Sequence, residues 1–352
     1  RGALERALGR VTEAERTLEE ALWAAEASRH DEVAADALLA LLELESEDLL
    51  RRGEARRLWA RLSAALRRLG DAGRREVAAQ AGYARALLRE GDVAAALEQS
   101  TAALRRGEQL FGANHPRLVP LLLDLAAAAQ AQGQAEDARR HAARASEIAA
   151  VALPPDHPDH ARALAVAGDL ARARGEPAAA RALYDAALAI YARIYGQDHP
   201  DMSLPLLGRG LAAAGELRWS EAAEDLRRAA AAWEHVHGPD SPRLIEPLTA
   251  RCAVESALGE HAAAQRACGR AIALAARAQV PAQAAVARFA LARAITGEAS
   301  SRGDASPETR AQAIAVAQQG LDDAARADDA PLVAAISGWI AAQRQAGASG
   351  MP

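Results

Sequence analysis

The chain has 352 residues, half of them apolar and only 3% aromatic, with a net charge of −5. That balance points away from a general nucleic-acid or membrane-surface binder. No apolar run reaches the roughly 18 residues a membrane helix needs. The longest, Leu121 to Ala129, is interrupted by Asp124.

All 42 basic residues are Arg, and there is no lysine. A Walker loop and a protein kinase both need Lys on the phosphates, and Schiff-base chemistry needs an amine. All three are excluded within this chain. Ala, Leu, Arg and Glu are strong helix formers, whereas Val, Ile, Tyr and Phe are too sparse for a large sheet. The Ala and Arg bias matches a GC-rich bacterial genome. Two cysteines do not make a disulfide scaffold. No signal peptide opens the chain, and the first residue, Arg1, suggests that the N-terminus lies upstream.

In chain order, Gly9, Ala14 and Ala21 carry the second half of a hairpin whose first helix is truncated. A second unit runs from Asp31 to Gly70 and turns at Gly53. A strict repeat follows. Pro116, Pro158, Pro200 and Pro242 are spaced by 42, three of them preceded by His115, His157 and His199 and the fourth by Ser241. With only 15 prolines present, such a coincidence would arise by chance roughly once in ten thousand, so the period is real. Gly70, Gly112, Gly196 and Gly238 form one further column. Gly91, Gly133, Gly175 and Gly259 form another, broken only by Leu217. Leu122, Leu164, Leu206 and Leu248 form a third, and two alanine columns run through Ala96 to Ala264 and Ala103 to Ala271.

One unit reads as follows. Pro158 suits a first helical turn, where its missing N–H is not needed, and Asp159 complements the helix dipole. A helix to about Arg174 ends at Gly175, and a second runs from about Ala178 to Tyr195 and ends at Gly196. A lone hairpin cannot hide its apolar face, so neighbours must stack. The expected fold is all-α, a right-handed α-solenoid of about eight antiparallel hairpins with the first truncated. Residues 1–70 form irregular hairpins and 71–280 the regular repeats. Residues 281–345 form a last hairpin (Ala282 to Ile295, Thr309 to Ala327) with a long Gly297 to Pro307 turn, then a capping helix, Leu332 to Arg344. Residues 346–352 form a disordered tail.

The run Tyr195-Gly196-Gln197-Asp198-His199-Pro200-Asp201, with Leu206 and then Ala222 and Ala229, resembles the tetratricopeptide repeat in its kinesin-light-chain-type form. The resemblance covers about residues 70 to 280. The order of units is also similar to the C-terminal repeat region of myxobacterial-type bacterial serine/threonine protein kinases. It shares a closing segment like Ala287-Arg288-Phe289-Ala290-Leu291-Ala292-Arg293-Ala294 and a terminal helix with Trp339-Ile340. These resemblances imply a non-catalytic protein–protein interaction scaffold, the regulatory part of a larger signalling protein. Alternatives are the tail of a kinase whose catalytic domain lies upstream, or the repeat sensor of a transcriptional regulator. They imply a cytoplasmic location, or an extracytoplasmic one if a membrane helix precedes the chain. Peptide-gripping repeats of this type carry Asn in the first helix. Here the sole Asn is Asn114, in a loop, so the expected partner is a folded or hydrophobic protein. The residues expected on the partner-facing side of the first helices are Leu123, Ala127, Gln130, Ala165, Asp169, Arg172, Leu207, Leu211 and Thr249.

Other features have simpler readings. His115, His157, His160 and His199 fall mostly on separate turns, and a metal site needs three or four convergent ligands, so a turn role is favoured and no metal or cofactor is expected. Gly208-Arg209-Gly210 with Ala213 mimics a dinucleotide loop, but no strand precedes it. Nine Arg between Arg51 and Arg75 face the acidic Asp36, Glu43, Glu45, Glu47 and Asp48, which suggests mutual neutralisation, with an acidic-partner site as the alternative. Tyr184, Tyr191, Trp219, Trp233 and Phe289 recur at helical spacing and suit a core. Cys252 and Cys268 fall on the two helices of one hairpin, either as core filling or as a redox-sensitive pair.

Overall fold

The computed structural model describes residues 1–7, 10–49, 51, 53–70, 73–196, 199–301 and 306–348. Gly9, Gln197, Asp198 and residues 302–305 of the long turn lie outside the described residues, as do the side chains of Glu47 and Asp48. Among the described residues there are seventeen α-helices and no strand. In chain order they are α1 Gly2–Ala7, α2 Val11–Ala27, α3 Asp31–Leu44, α4 Glu54–Leu69, α5 Arg74–Glu90, α6 Val93–Phe111, α7 Leu118–Ala131, α8 Ala135–Ala152 and α9 Pro158–Ala173. There follow α10 Pro177–Tyr195, α11 Ser203–Gly215, α12 Trp219–His237, α13 Ile245–Ala257, α14 His261–Arg277, α15 Pro281–Ser301, α16 Pro307–Arg326 and α17 Ala330–Ala348.

The chain divides into two compact units. One comprises Arg1–Gly208 with His235–Gly238; the other comprises Arg209–Glu234 and the chain from Pro239 onward. Within the first, consecutive helices pack side by side, and α3, α5, α7 and α9 also pack on one another. Within the second, α13 packs on both α14 and α15, α15 on α16, and α16 on α17. Packing on the neighbour and next neighbour is how stacked hairpins bury a face that one hairpin leaves open. This is the α-solenoid class the repeat predicts. At its end, α15 continues through Gly297 to Ser301, so the turn is shorter than its Ser/Gly content suggests. The last helix reaches Ala348, past the expected start of the tail.

The alanine columns turn out to be the most enclosed positions. Ala96, Ala138, Ala180, Ala222 and Ala264 are all 0% exposed. They bring paired helices close together, and any longer side chain there would overpack.

His157, His199 and Ser241 are helix caps, and His115 holds the turn that leads into α7. The Nδ1 atoms of His115, His157 and His199 accept the backbone N–H two residues on, at 3.1, 3.1 and 3.3 Å. Ser241 Oγ does the same at 3.3 Å. A short-reach acceptor satisfies one of the orphan N–H groups of the first turn while proline supplies the fixed φ that follows.

The turn inside each regular hairpin needs one residue at positive φ. Gly91, Gly133, Gly175 and Gly259 supply it at +85°, +80°, +75° and +79°, and Leu217 holds the same place at +59° with its side chain in solvent. The fold therefore keeps the left-handed turn even where the residue opposes it.

Charge then ties hairpins together within each unit. On α8, Arg144 reaches back to Glu108 at 2.6 Å and the Ala113 carbonyl at 2.7 Å. Three repeats on, Arg270 repeats this with Glu234 and the Pro239 carbonyl, both at 2.8 Å. Arg193 meets Asp156 at 2.6 Å and Arg277 meets Asp240 at 2.5 Å. Exposed pairs are worth about 0–1 kcal/mol each, so they orient neighbouring hairpins more than they stabilise them. The arginine-rich segment is neutralised in the same way. Arg61 pairs with Glu26, Arg68 with Asp31, Arg75 with Asp36, and Arg51 with Glu15 and Glu45.

Two outcomes follow from these turns. Leu217→Gly should stabilise the chain by about 1 kcal/mol, because a side chain at positive φ is penalised by roughly that amount; urea titration reads the shift. His157→Ala should cost about 1 kcal/mol, while His157→Ser, which can still cap, should melt close to the parent.

Candidate functional site

The first helices α5, α7 and α9 carry the most developed side-chain network of the first unit. Helix α7 is almost wholly apolar, and its single charge, Asp124, is only 8% exposed. A buried carboxylate must be paired. Arg85 on α5 donates to Asp124 Oδ2 at 2.9 Å, and Arg162 on α9 donates to Oδ1. One carboxylate thus binds three successive hairpins.

Beside it, α9 presents Ala165, Asp169 and Arg172 on one face, the first half-buried and the other two exposed. Asp169 Oδ1 accepts the Tyr184 hydroxyl at 2.7 Å. Burial first, and then the Asp169 charge, push the Tyr184 phenol far above its ordinary range, so it remains a neutral donor. Tyr184 itself is 1% exposed. It fits because α9 and α11 carry glycine against it: a Cβ on Gly168 would stand 2.8 Å from Tyr184 Cε1, and one on Gly208 would stand 2.4 Å from Cζ.

Of the residues expected to face a partner, Ala127 and Gln130 are half-buried on α7, beside Ala165, Asp169 and Arg172 on α9. Leu123 and Leu207 are 1% and 4% exposed and present no surface. Their positions next to the leucine column belong to the core. Leu211 and Thr249 lie in the second unit, both half-buried, and the Thr249 hydroxyl is committed to the Ile245 carbonyl at 2.7 Å. The Asp124 network escaped the sequence reading. Its signal was a lone charge in an apolar helix, with arginines about one repeat away on either side.

The Gly208-Arg209-Gly210 run lies within α11 and serves packing. Gly208 admits Tyr184. In the second unit, a Cβ on Gly210 would stand 3.0 Å from Leu226 Cγ, and Arg209 forms two bonds with Asp225 at 2.6 and 2.7 Å. Of the aromatic residues, Tyr184, Tyr191 and Trp233 are core, at 1%, 7% and 5% exposed, whereas Trp219 and Phe289 are only half-buried, Phe289 packing edge-on to Trp339 at 5.9 Å. Cys252 and Cys268 are joined by a disulfide between α13 and α14. Among the described residues no His, Cys, Asp and Glu group could hold a metal, and no helix is long and apolar enough to cross a membrane.

Comparison with known proteins gives the repeats a name. Tetratricopeptide-repeat family models match residues 75–150, 118–193 and 218–243. No curated protein sequence matches the chain. Among solved structures, the chain is similar to a Rap protein complexed with Competence and Sporulation Factor, at 14% identity, covering 98% of this chain and 99% of that one, with a TM-score of 0.58. It is also similar to the APC/C hetero-tetramer Cut9–Hcn1, at 13% identity, covering 94% and 59%, with a TM-score of 0.54. BtubC (BKLC) from P. vanneervenii matches at 20% identity over 70% and 93%, with a TM-score of 0.46.

Asp124→Ala should destabilise the chain by about 3 kcal/mol, since it removes the buried anion that links the Arg85 and Arg162 guanidiniums. Chemical denaturation checks this, and a loss under 1 kcal/mol would show that the network is only a surface contact.

Proposed function

The chain carries tetratricopeptide repeats in an all-α solenoid fold, and from this starting point we propose that it is a non-catalytic scaffold that holds a protein partner on the first-helix face of its first unit. The observation that carries the reading is a division of labour between helices. On the second helices, Arg144 of α8 and Arg193 of α10 reach back to Glu108 and Asp156. The α7 and α9 face instead keeps small, half-buried side chains, Ala127 and Ala165, beside the exposed Asp169 and Arg172. A mixed apolar and charged surface of this kind suits a protein interface, in which anchors are buried and charges set orientation. Two solved neighbours, with TM-scores of 0.58 and 0.54, are complexes, one with Competence and Sporulation Factor and one with Hcn1, which supports a binding role. With Asn114 as the only asparagine, the partner is a folded or hydrophobic protein surface and not an extended peptide held by an amide ladder.

The narrower reading makes this the regulatory part of a bacterial signalling protein, a serine/threonine kinase among the candidates. It rests on the closing segment around Phe289 and the Trp339 helix, and is tested by reading the upstream coding sequence for a kinase signature.

The binding face is tested with Ala165→Arg and Arg172→Glu, set against Arg140→Glu on α8 as a control. The first two should weaken partner capture at least about tenfold, roughly 1.4 kcal/mol, with unchanged helicity. Capture equal to wild type in both variants would remove the face from consideration.

A further inference from the structure

The helix pairs of the regular hairpins meet at one repeated crossing point. In successive repeats its occupants are Ala126 with Ala142, Gly168 with Tyr184, Gly210 with Leu226 and Cys252 with Cys268. Three of these four pairs close the hairpin without a covalent bond. The fourth adds a covalent bond at a place where the architecture does not need one.

We propose that Cys252 and Cys268 form a reversible dithiol–disulfide site, exchanging with low-molecular-weight thiols and disulfides of the glutathione class, that sets the rigidity of the α13–α14 hairpin without deciding whether it folds. Several observations support both redox states. The Cα atoms lie 5.4 Å apart, inside the range a disulfide spans. Both residues are 0% exposed. In the reduced form Cys252 is a small apolar residue in a column that elsewhere takes Ala or Gly. The Cys268 thiol has an acceptor waiting, because the Ala287 carbonyl on α15 lies 3.4 Å from its sulfur. The reduced form thus has an apolar place for one cysteine and an acceptor for the other.

The exchange balances without any further reagent. A thiolate RS⁻ attacks one sulfur of the Cys252–Cys268 bond, forms a mixed disulfide and releases the other cysteine as a thiolate, which takes up a proton. A second RS⁻ attacks the outer sulfur of the mixed disulfide, releasing the first cysteine and RSSR. Two electrons pass from two RSH to the protein, and oxidation is the reverse. Complete burial means that a dissolved thiolate reaches the bond only when the hairpin opens locally, so the rate reports that opening.

The test uses the whole chain, held in defined mixtures of reduced and oxidised glutathione, then acid-quenched, alkylated and weighed. The expected result has three parts. The mass should interconvert reversibly between two free thiols and none. Reduction of the folded chain should run about 100-fold or more slower than in urea. Amide hydrogens of α13 and α14 should exchange about tenfold or more faster once the bond is reduced, with helix content unchanged. Loss of helix on reduction would overturn the proposal, since the bond would then be obligatory. Two persistent thiols in excess oxidant, or identical amide exchange in both forms, would also overturn it. The double variant Cys252→Gly with Cys268→Leu copies the Gly210–Leu226 pair. It should fold and exchange its amides identically with and without reductant, and a reductant response in that variant would show that the effect does not come from the cysteines.

Discussion

Two helices can come no closer than the side chains at their crossing allow, and the whole array depends on that spacing being the same in every hairpin. The fully enclosed Ala96, Ala138, Ala180, Ala222 and Ala264 keep one contact row short. Where a large residue enters, the opposite helix gives up its side chain: Tyr184 is admitted by Gly168 and Gly208, and Leu226 by Gly210. Close packing makes interiors intolerant of even a methylene, so volume must be conserved pair by pair and not residue by residue. This is why the residues at one crossing vary from Ala–Ala through Gly–Tyr to a disulfide while the backbone period stays at 42 residues.

Once the spacing is set, the stacking of one hairpin on the next is a question of register. Apolar contact alone is tolerant of sliding. The charged links are less so, because a guanidinium that engages both a carboxylate and a backbone carbonyl, as Arg144 and Arg270 do, has few geometries available. The Asp124 carboxylate does this more strictly. It sits in an apolar helix and draws one arginine from the hairpin before and one from the hairpin after. Removing water from such a group is costly, so the network's value lies in rejecting misaligned stacks more than in adding net stability.

Much of this was legible before any coordinates. Prolines and glycines mark backbone geometry directly, so the His-Pro steps, the turn glycines and the helix ends of the unit from Pro158 to Gly196 could be placed to within a residue or two, and Leu217 stood out as the one break in its column. The features that were not legible depend on partners distant in sequence. Asp124 looked like an interruption because its two arginines lie on other hairpins. Leu123 and Leu207 were expected on the surface, but a helix in an array is covered on several sides, and one step along it separates core from face. Gly208 and Gly210 suggested a phosphate loop only while Tyr184 and Leu226, the side chains that require them, were out of view. Compositional cues misled at the C-terminal end too, where Gly297 to Ser301 is helical despite weak propensities, because α16 packs along α15 and packing overrides a weak local preference.

The same constraint governs where a partner can be held. Side chains at the crossings are committed to volume, and Arg144, Arg193, Arg270 and Arg277 on the second helices are committed to carboxylates that precede them in the stack. A residue can change without disturbing the stack only if it serves neither purpose. On α9 that leaves positions such as the half-buried Ala165, while the exposed Arg172 lies beside the Asp169–Tyr184 pair. Such positions sit on rigid helices, and each hairpin offers its own set at a fixed distance from the last. Recognition in this architecture therefore does not need a pocket. It needs only that a few uncommitted side chains be displayed at intervals that the packed alanines and glycines beneath them do not allow to vary.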